Sequence, residues 1–137
     1  MFSHRGIKTK MKTKILNALK YGYVVENSRI PQMLSWVISI RAITLYPFII
    51  FRDEADDVTI NHERIHIVQQ KELLVLPFYI LYVWYWIVNR VKYHDLGPDA
   101  YFNLPFEREA YKNHHDFEYL KSRPRFAWTK YFHPRKY

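Results

Sequence analysis

Residues 59–88 read TINHERIHIVQQKELLVLPFYILYVWYWIV, and this stretch sets both the architecture and the chemistry expected of the chain. Its first half alternates polar and apolar residues at helical spacing, and one of Asp56, Asp57 or Thr59 can cap it by accepting from the free backbone amides of a first turn. A helix is therefore predicted from about Thr59 to Leu76. At Pro77 the missing amide hydrogen and the crowding of the Leu73 carbonyl predict a kink or break. A second helical piece continues to about Tyr93. Within it, Leu73 to Val88 is sixteen residues without a charge. Fully helical, that run is about 24 Å long, short of the roughly 30 Å hydrocarbon core of a bilayer. Trp84, Tyr85 and Trp86 beside Asn89 and Arg90 have the character of an interfacial anchor, so membrane association is expected, with integral insertion through 73–88 the stronger form of it. A buried core helix would explain the same run without a membrane.

Working outward, the N-terminal side holds Ile30 to Phe51, punctuated by Pro31 and Pro47. A short helix over Met33–Ile40 and a β-branched, aromatic strand over Ala42–Phe51 are predicted, with Arg41 between them. Arg52 to Asp57 is an acidic loop. On the C-terminal side Gly97-Pro98-Asp99 predicts a turn, and Phe106–Tyr119 a further helix with Pro105 in its first turn. Phe126–Phe132, aromatic and basic, is expected to be a second surface anchor. The organisation expected is a basic N-terminal segment 1–29, one domain over 30–120, and a basic aromatic tail 121–137, the ends frayed. The fold class expected is mainly α with a small β element.

The net charge of +8 lies at the ends. Met1–Lys20 and Lys121–Tyr137 each carry six Lys or Arg and no acid, while residues 21–120 carry nine bases against thirteen acids. Basic ends suit anionic lipid or nucleic acid. Aromatic residues among the bases of Arg123–Tyr137 can stack on bases of a nucleic acid, but the apolar segments favour lipid. The first apolar run begins near Ile30 with no small-residue cleavage site after it, so no cleavable signal peptide is expected. There is no cysteine, hence no disulfide and no thiolate, and any metal must be held by histidine and carboxylate.

His62 and His66 are four apart, so on a helix both imidazoles project from one face and can bind one zinc ion. Glu63 lies about 100° round from His62, where the acid of a His-Glu-x-x-His site works on water as general base instead of binding the metal. Two histidines and a glutamate on a solvated helix face would read the same way. A catalytic zinc needs a third protein ligand. Glu72 is rejected, because on a continuing helix it lies about 9 Å along the axis from His66 and on another face. Glu107 and Glu109 on the later helix are the candidates, and only one can face the metal, since positions two apart point about 160° apart. Gln69, seven after His62 and three after His66, has its amide on the metal face, able to bond a ligand or a substrate. His94, His114, His115 and His133 have no partner at ligand spacing beyond the adjacent pair, which cannot share one ion from a helix.

His62-Glu63-x-x-His66 followed by Glu107-x-x-Ala110 resembles the gluzincin metallopeptidases, particularly the integral-membrane prenyl-protease-like zinc peptidases. That resemblance implies a minimal zincin-like domain with a kinked apolar helix, a Zn2+ ion on His62, His66 and Glu107 (Glu109 being the alternative), Glu63 as catalytic base, and a peptide or protein substrate. The chain departs from that family at Tyr111, where an aspartate would stand to support a zinc histidine, and it lacks the family's other long membrane helices. From Ala42 to Tyr111 it is more similar to small bacterial and phage proteins with a His-Glu-x-x-His-x-x-Gln core, a Pro-Phe-Tyr apolar run and a Phe-Glu-x-Glu-Ala-Tyr segment. The activity these likenesses imply is zinc-dependent hydrolysis of peptide bonds near a membrane, with the strand over 42–51 offering an edge to an extended substrate. A non-catalytic membrane protein, a phage or envelope component with a structural or vestigial metal site, is the rival reading, and a nucleic-acid binder stands behind both.

Overall fold

A computed structural model describes residues 4–34, 41–94 and 98–132. The chain divides into two compact units, Met1–Ala55 and Asp56–Tyr137. The whole is mainly α-helical with one small mixed sheet.

In the first unit the basic N-terminal segment forms helix α1 (His4–Tyr21) instead of fraying. It ends at Gly22, whose φ of 89° and amide bond to the Ala18 carbonyl turn the chain out of the helix where a Cβ would clash. Strand β1 (Tyr23–Val25) comes next, then helix α2 (Arg29–Leu34). Of the helix expected over Met33–Ile40, Met33 and Leu34 fall in α2 and residues 35–40 lie outside the described residues. The single strand expected over Ala42–Phe51 is a hairpin, β2 (Ala42–Leu45) and β3 (Phe48–Phe51), antiparallel with Leu45 opposite Phe48. The chain reverses at Tyr46-Pro47, joined by a cis peptide at the third position of the turn. β1 pairs parallel to the other side of β3, so β3 is central, and of the hairpin only β2 is an outer strand. Ile49 and Phe51 of β3 are buried, as befits the middle of a sheet.

The second unit opens with helix α3 (Asp57–Leu73), capped by Asp56, whose carboxylate accepts from the Thr59 amide at 2.7 Å. That bond and the neighbouring dipoles hold the Asp56 carboxyl below its usual range. α3 ends four residues before Pro77. The break falls at Leu74 (φ 63°, ψ 150°), and helix α4 (Val75–Tyr93) leaves at 110° to α3. Pro77 thus sits in the first turn of α4, where its missing amide hydrogen costs nothing and its ring no longer meets a helical carbonyl at Leu73. The kink anticipated at the proline is displaced one turn upstream for this reason. Among the described residues no single helix is long and apolar enough to cross a membrane; α3 and α4 pass that test only as a bent pair.

Helix α5 (Pro98–Phe102) precedes α6 (Pro105–Asn113), which has Pro105 at its start. The helix expected to run to Tyr119 stops at Asn113. There Asn61 of α3 donates to the carbonyls of His114 (2.9 Å) and Asp116 (3.2 Å), drawing them away from a helical path. The short helix α7 (Tyr119–Ser122) and a 3-10 turn (Ala127–Tyr131) complete the unit. The aromatic tail is not simply a surface anchor: Ala127 and Trp128 are buried, and Trp128 packs at 4.8 Å on Phe106. Phe78, Phe106 and Trp128 form the core, with Leu73, Tyr79, Leu81, Tyr82 and Tyr85 around them.

Candidate metal centre

α3 presents His62 and His66 toward α6, and α6 presents Glu107 toward them. The histidine Nε2 atoms are 3.1 Å apart; Glu107 Oε2 lies 3.2 Å from that of His62 and Oε1 lies 3.3 Å from that of His66. All three residues are buried. Each histidine nitrogen faces its own Glu107 oxygen, and one ligand atom from each of the three residues lies within 4.8 Å of the others, close enough to hold one metal ion after a small adjustment. Two imidazole nitrogens pointing lone pairs at each other across 3.1 Å repel unless a proton or a metal ion lies between them. The donor set, two imidazoles and a carboxylate, could hold a divalent metal ion.

Gln69 decides how His66 presents itself. Its Nε2 donates to the Phe106 carbonyl (3.1 Å) and to Glu109 Oε2 (3.0 Å), which leaves its oxygen to face His66 Nδ1 at 2.8 Å. An amide oxygen can only accept, so Nδ1 carries a hydrogen and Nε2 is the nitrogen turned to the cluster. The support that the Tyr111 position cannot give a histidine comes instead from the helix that carries the histidine.

Glu109 is occupied elsewhere. Its carboxylate accepts from Arg123 through Nε and Nη2, from Tyr119 Oη (2.9 Å) and from Gln69. Arg123 also grips Glu72, Nη1 to Oε1 at 2.6 Å and Nη2 to Oε2 at 3.1 Å, and Glu72 accepts from the Phe126 amide. The buried guanidinium therefore lies between two carboxylates, and Glu72 stands in this ion-pair group away from the histidines. Arg123 has its charge fixed more firmly than usual: burial opposes it, and the bonds and charges of Glu109 and Glu72 outweigh that.

Burial alone would raise the Glu107 carboxyl; the charge on His66 and hydrogen bonds from both histidines reverse this and hold it well below the carboxylate range. For His66, burial favours the neutral ring, but the Glu107 charge and bond, then Glu63 and Gln69, raise its pKa to about 9. Tyr82 of α4 donates to Glu107 Oε1 at 2.7 Å, and Tyr101 of α5 also reaches Glu107 and Tyr111. Burial first, and the Glu107 charge second, push both phenols far up, so both remain donors. Glu63 is half-buried, and its charge acts on His66, Tyr79, Tyr82 and Tyr111.

Sequence reasoning passed over several participants. Tyr111 packs edge-on against His62 at 4.5 Å between ring centres, and His114 lies 5.6 Å from the same ring. Burial, then the charges of His115 and His62, lower the His114 pKa against the pull of Asp56. Tyr82 stands 25 residues from Glu107 and Arg123 stands 14 from Glu109, and no local spacing announces either. His115 packs on His114 and not on the cluster. Compared with protein-family models, with curated proteins and with solved structures, the chain has no match.

Proposed function

We propose that the chain is a zinc-dependent hydrolase of peptide bonds, with the metal on His62, His66 and Glu107 and with Glu63 as general base. The observation that carries this reading is the convergence of three buried residues, two histidine Nε2 atoms 3.1 Å apart with one Glu107 oxygen 3.2 Å from the first and the other 3.3 Å from the second, while Gln69 turns the Nε2 of His66 inward. Zinc, when bound, supplies a lowered water pKa and polarisation of the scissile carbonyl. Glu63, one residue from His62, takes a proton from the attacking water as its oxygen bonds to the carbonyl carbon. It passes that proton to the amine as the carbon–nitrogen bond breaks. Tyr82 holds Glu107 in one orientation, and Gln69 does the same for His66.

A structural metal site is the second reading, favoured by the burial of all three donors, since structural sites are closed and catalytic ones keep a position open. Glu63→Gln separates the two. On the hydrolase reading it retains zinc and loses peptide cleavage, tested against a mixed peptide library with product masses read out. Absence of cleavage by the parent chain with zinc bound supports the structural site, and equal cleavage in the Gln variant would overturn Glu63 as the base.

A further inference from the structure

Helix α4 has two faces of different character. Phe78, Tyr82, Tyr85 and Asn89 recur at helical spacing on the inner one: Phe78 is core, Tyr82 bonds Glu107, and Asn89 donates to the Ala100 carbonyl at 3.1 Å. Leu76, Ile80, Val83, Trp84, Ile87, Val88 and Val91 form the opposite stripe, and every one is exposed, from 40% at Val88 to 71% at Leu76. The stripe runs about 22 Å along the axis. Its exposed area is on the order of 700 Å², above the few hundred Å² that a soluble monomer leaves in one patch.

We propose that this stripe seats the protein on an anionic lipid bilayer, with α4 lying in the plane of the interface and not across it. Three observations choose lipid over a second copy of the chain, and the commitment of the inner face keeps α4 in the plane of the interface. α4 carries no acidic residue, and Arg90 and Lys92 stand in its last turn, Arg90 stacked at 4.5 Å over Trp86. Trp84, 61% exposed on the stripe, has the amphipathic ring that settles at head-group depth. The inner face is committed to the core and to Glu107, so a spanning helix would carry Tyr82 and Asn89 with their packing partners into hydrocarbon. Separately, in the first unit, α1 holds six Lys or Arg and no acid and leaves Ile15, Leu16 and Leu19 exposed. Two basic helices with exposed apolar residues, in two units of the chain, repel another copy and attract an anionic surface.

The seat puts the His62-His66-Glu107 group one helix away from lipid, about 10 Å. Resting on the hydrolase reading above, the substrate class is then a polypeptide held within about that distance of a membrane surface.

The full chain, purified in detergent and exchanged away from it, is mixed with vesicles of phosphatidylcholine containing phosphatidylglycerol, and separately with phosphatidylcholine alone. Flotation and quenching of tryptophan by lipids brominated near the head group are read. The expected result is flotation with the anionic vesicles, shallow quenching that Trp84→Phe diminishes, and at least about tenfold weaker binding in Ile80→Asp/Val83→Asp. Both sites are exposed, so circular dichroism should be unchanged, and metal content is measured in the same samples to keep this outcome apart from that of the metal site. No flotation of the parent chain overturns the proposal. So does a dimer that the double variant dissociates while vesicle binding persists, which would assign the stripe to a second copy. Quenching only by deeply brominated lipid would overturn the in-plane arrangement.

Discussion

Replacing Gln69 by leucine removes a residue that is fully buried and makes three hydrogen bonds. The losses are unequal. Glu109 keeps Arg123 and Tyr119, and the Phe106 carbonyl lies in the first turn of α6, where helix bonding continues to serve it. His66 Nδ1 is the group left stranded. An unsatisfied buried donor costs about 1–3 kcal/mol, which is the destabilisation expected of the metal-free chain. The imidazole can recover part of that by giving up its Nδ1 hydrogen and keeping the one on Nε2, and then it has no lone pair there for a metal. Loss of such outer support lowers metal affinity by about 10–100-fold, equivalent to about 1.4–2.7 kcal/mol. Competition with a chromophoric zinc chelator measures the affinity, and thermal melting with and without zinc measures the stability. The expected pattern is weaker zinc binding and a smaller zinc-induced rise in Tm. Unchanged zinc affinity in a variant whose metal-free Tm has fallen would refute the argument that Gln69 sets the His66 tautomer.

The same network sets the outcome of other perturbations. Glu107→Ala removes a donor and should abolish zinc binding. Glu109→Ala leaves the Arg123 guanidinium with Glu72 and the Pro124 carbonyl and should destabilise the chain by about 1–3 kcal/mol, while the folded fraction still binds zinc; equal zinc loss in both variants measured on folded protein would contradict the assignment. The pKa of His66, raised to about 9 in the metal-free chain, means that zinc must displace a proton, so apparent affinity should rise about tenfold per pH unit toward pH 9 and then level. Calorimetry in buffers of different ionisation enthalpy checks that proton release. The sign for stability is the opposite: a histidine raised above its ordinary 6.5 contributes fully below that value, and the contribution fades as pH rises through about 9. Glu107, lowered, loses its contribution as the solution becomes acidic, so the metal-free chain should melt highest in between. Leu74→Gly should raise Tm slightly, because relief of a positive-φ conformation worth about 1–3 kcal/mol exceeds the roughly 0.5–1 kcal/mol entropic cost of glycine; a lower Tm would show that the Leu74 side chain matters more than its backbone.

Local features of the fold were legible because their causes are local. Asp56 caps α3 through an amide three residues away, Pro105 opens α6, and the mostly helical class is carried by the periodicity of 59–93. The position of the α3–α4 break was not, since a proline is tolerated in a first turn and the chain is free to break a turn before it. The hairpin at Tyr46-Pro47 was hidden by an unbroken run of β-formers on both sides of one proline. In the site, the two histidines and Glu63 are read from one turn of helix. The choice between Glu107 and Glu109 is not local at all. It depends on Arg123, fourteen residues beyond Glu109, reaching back to join Glu109 and Glu72. The outward Trp84 and the inward Trp128 differ for a similar reason: both sit in aromatic, basic segments, and only packing against Phe106 separates them.

The most direct test is the zinc content per chain, by elemental analysis of detergent-purified protein beside His62→Ala. The account predicts close to one zinc per chain in the parent and none in the variant. No zinc in either after reconstitution is attempted, or zinc that survives the variant, would contradict it.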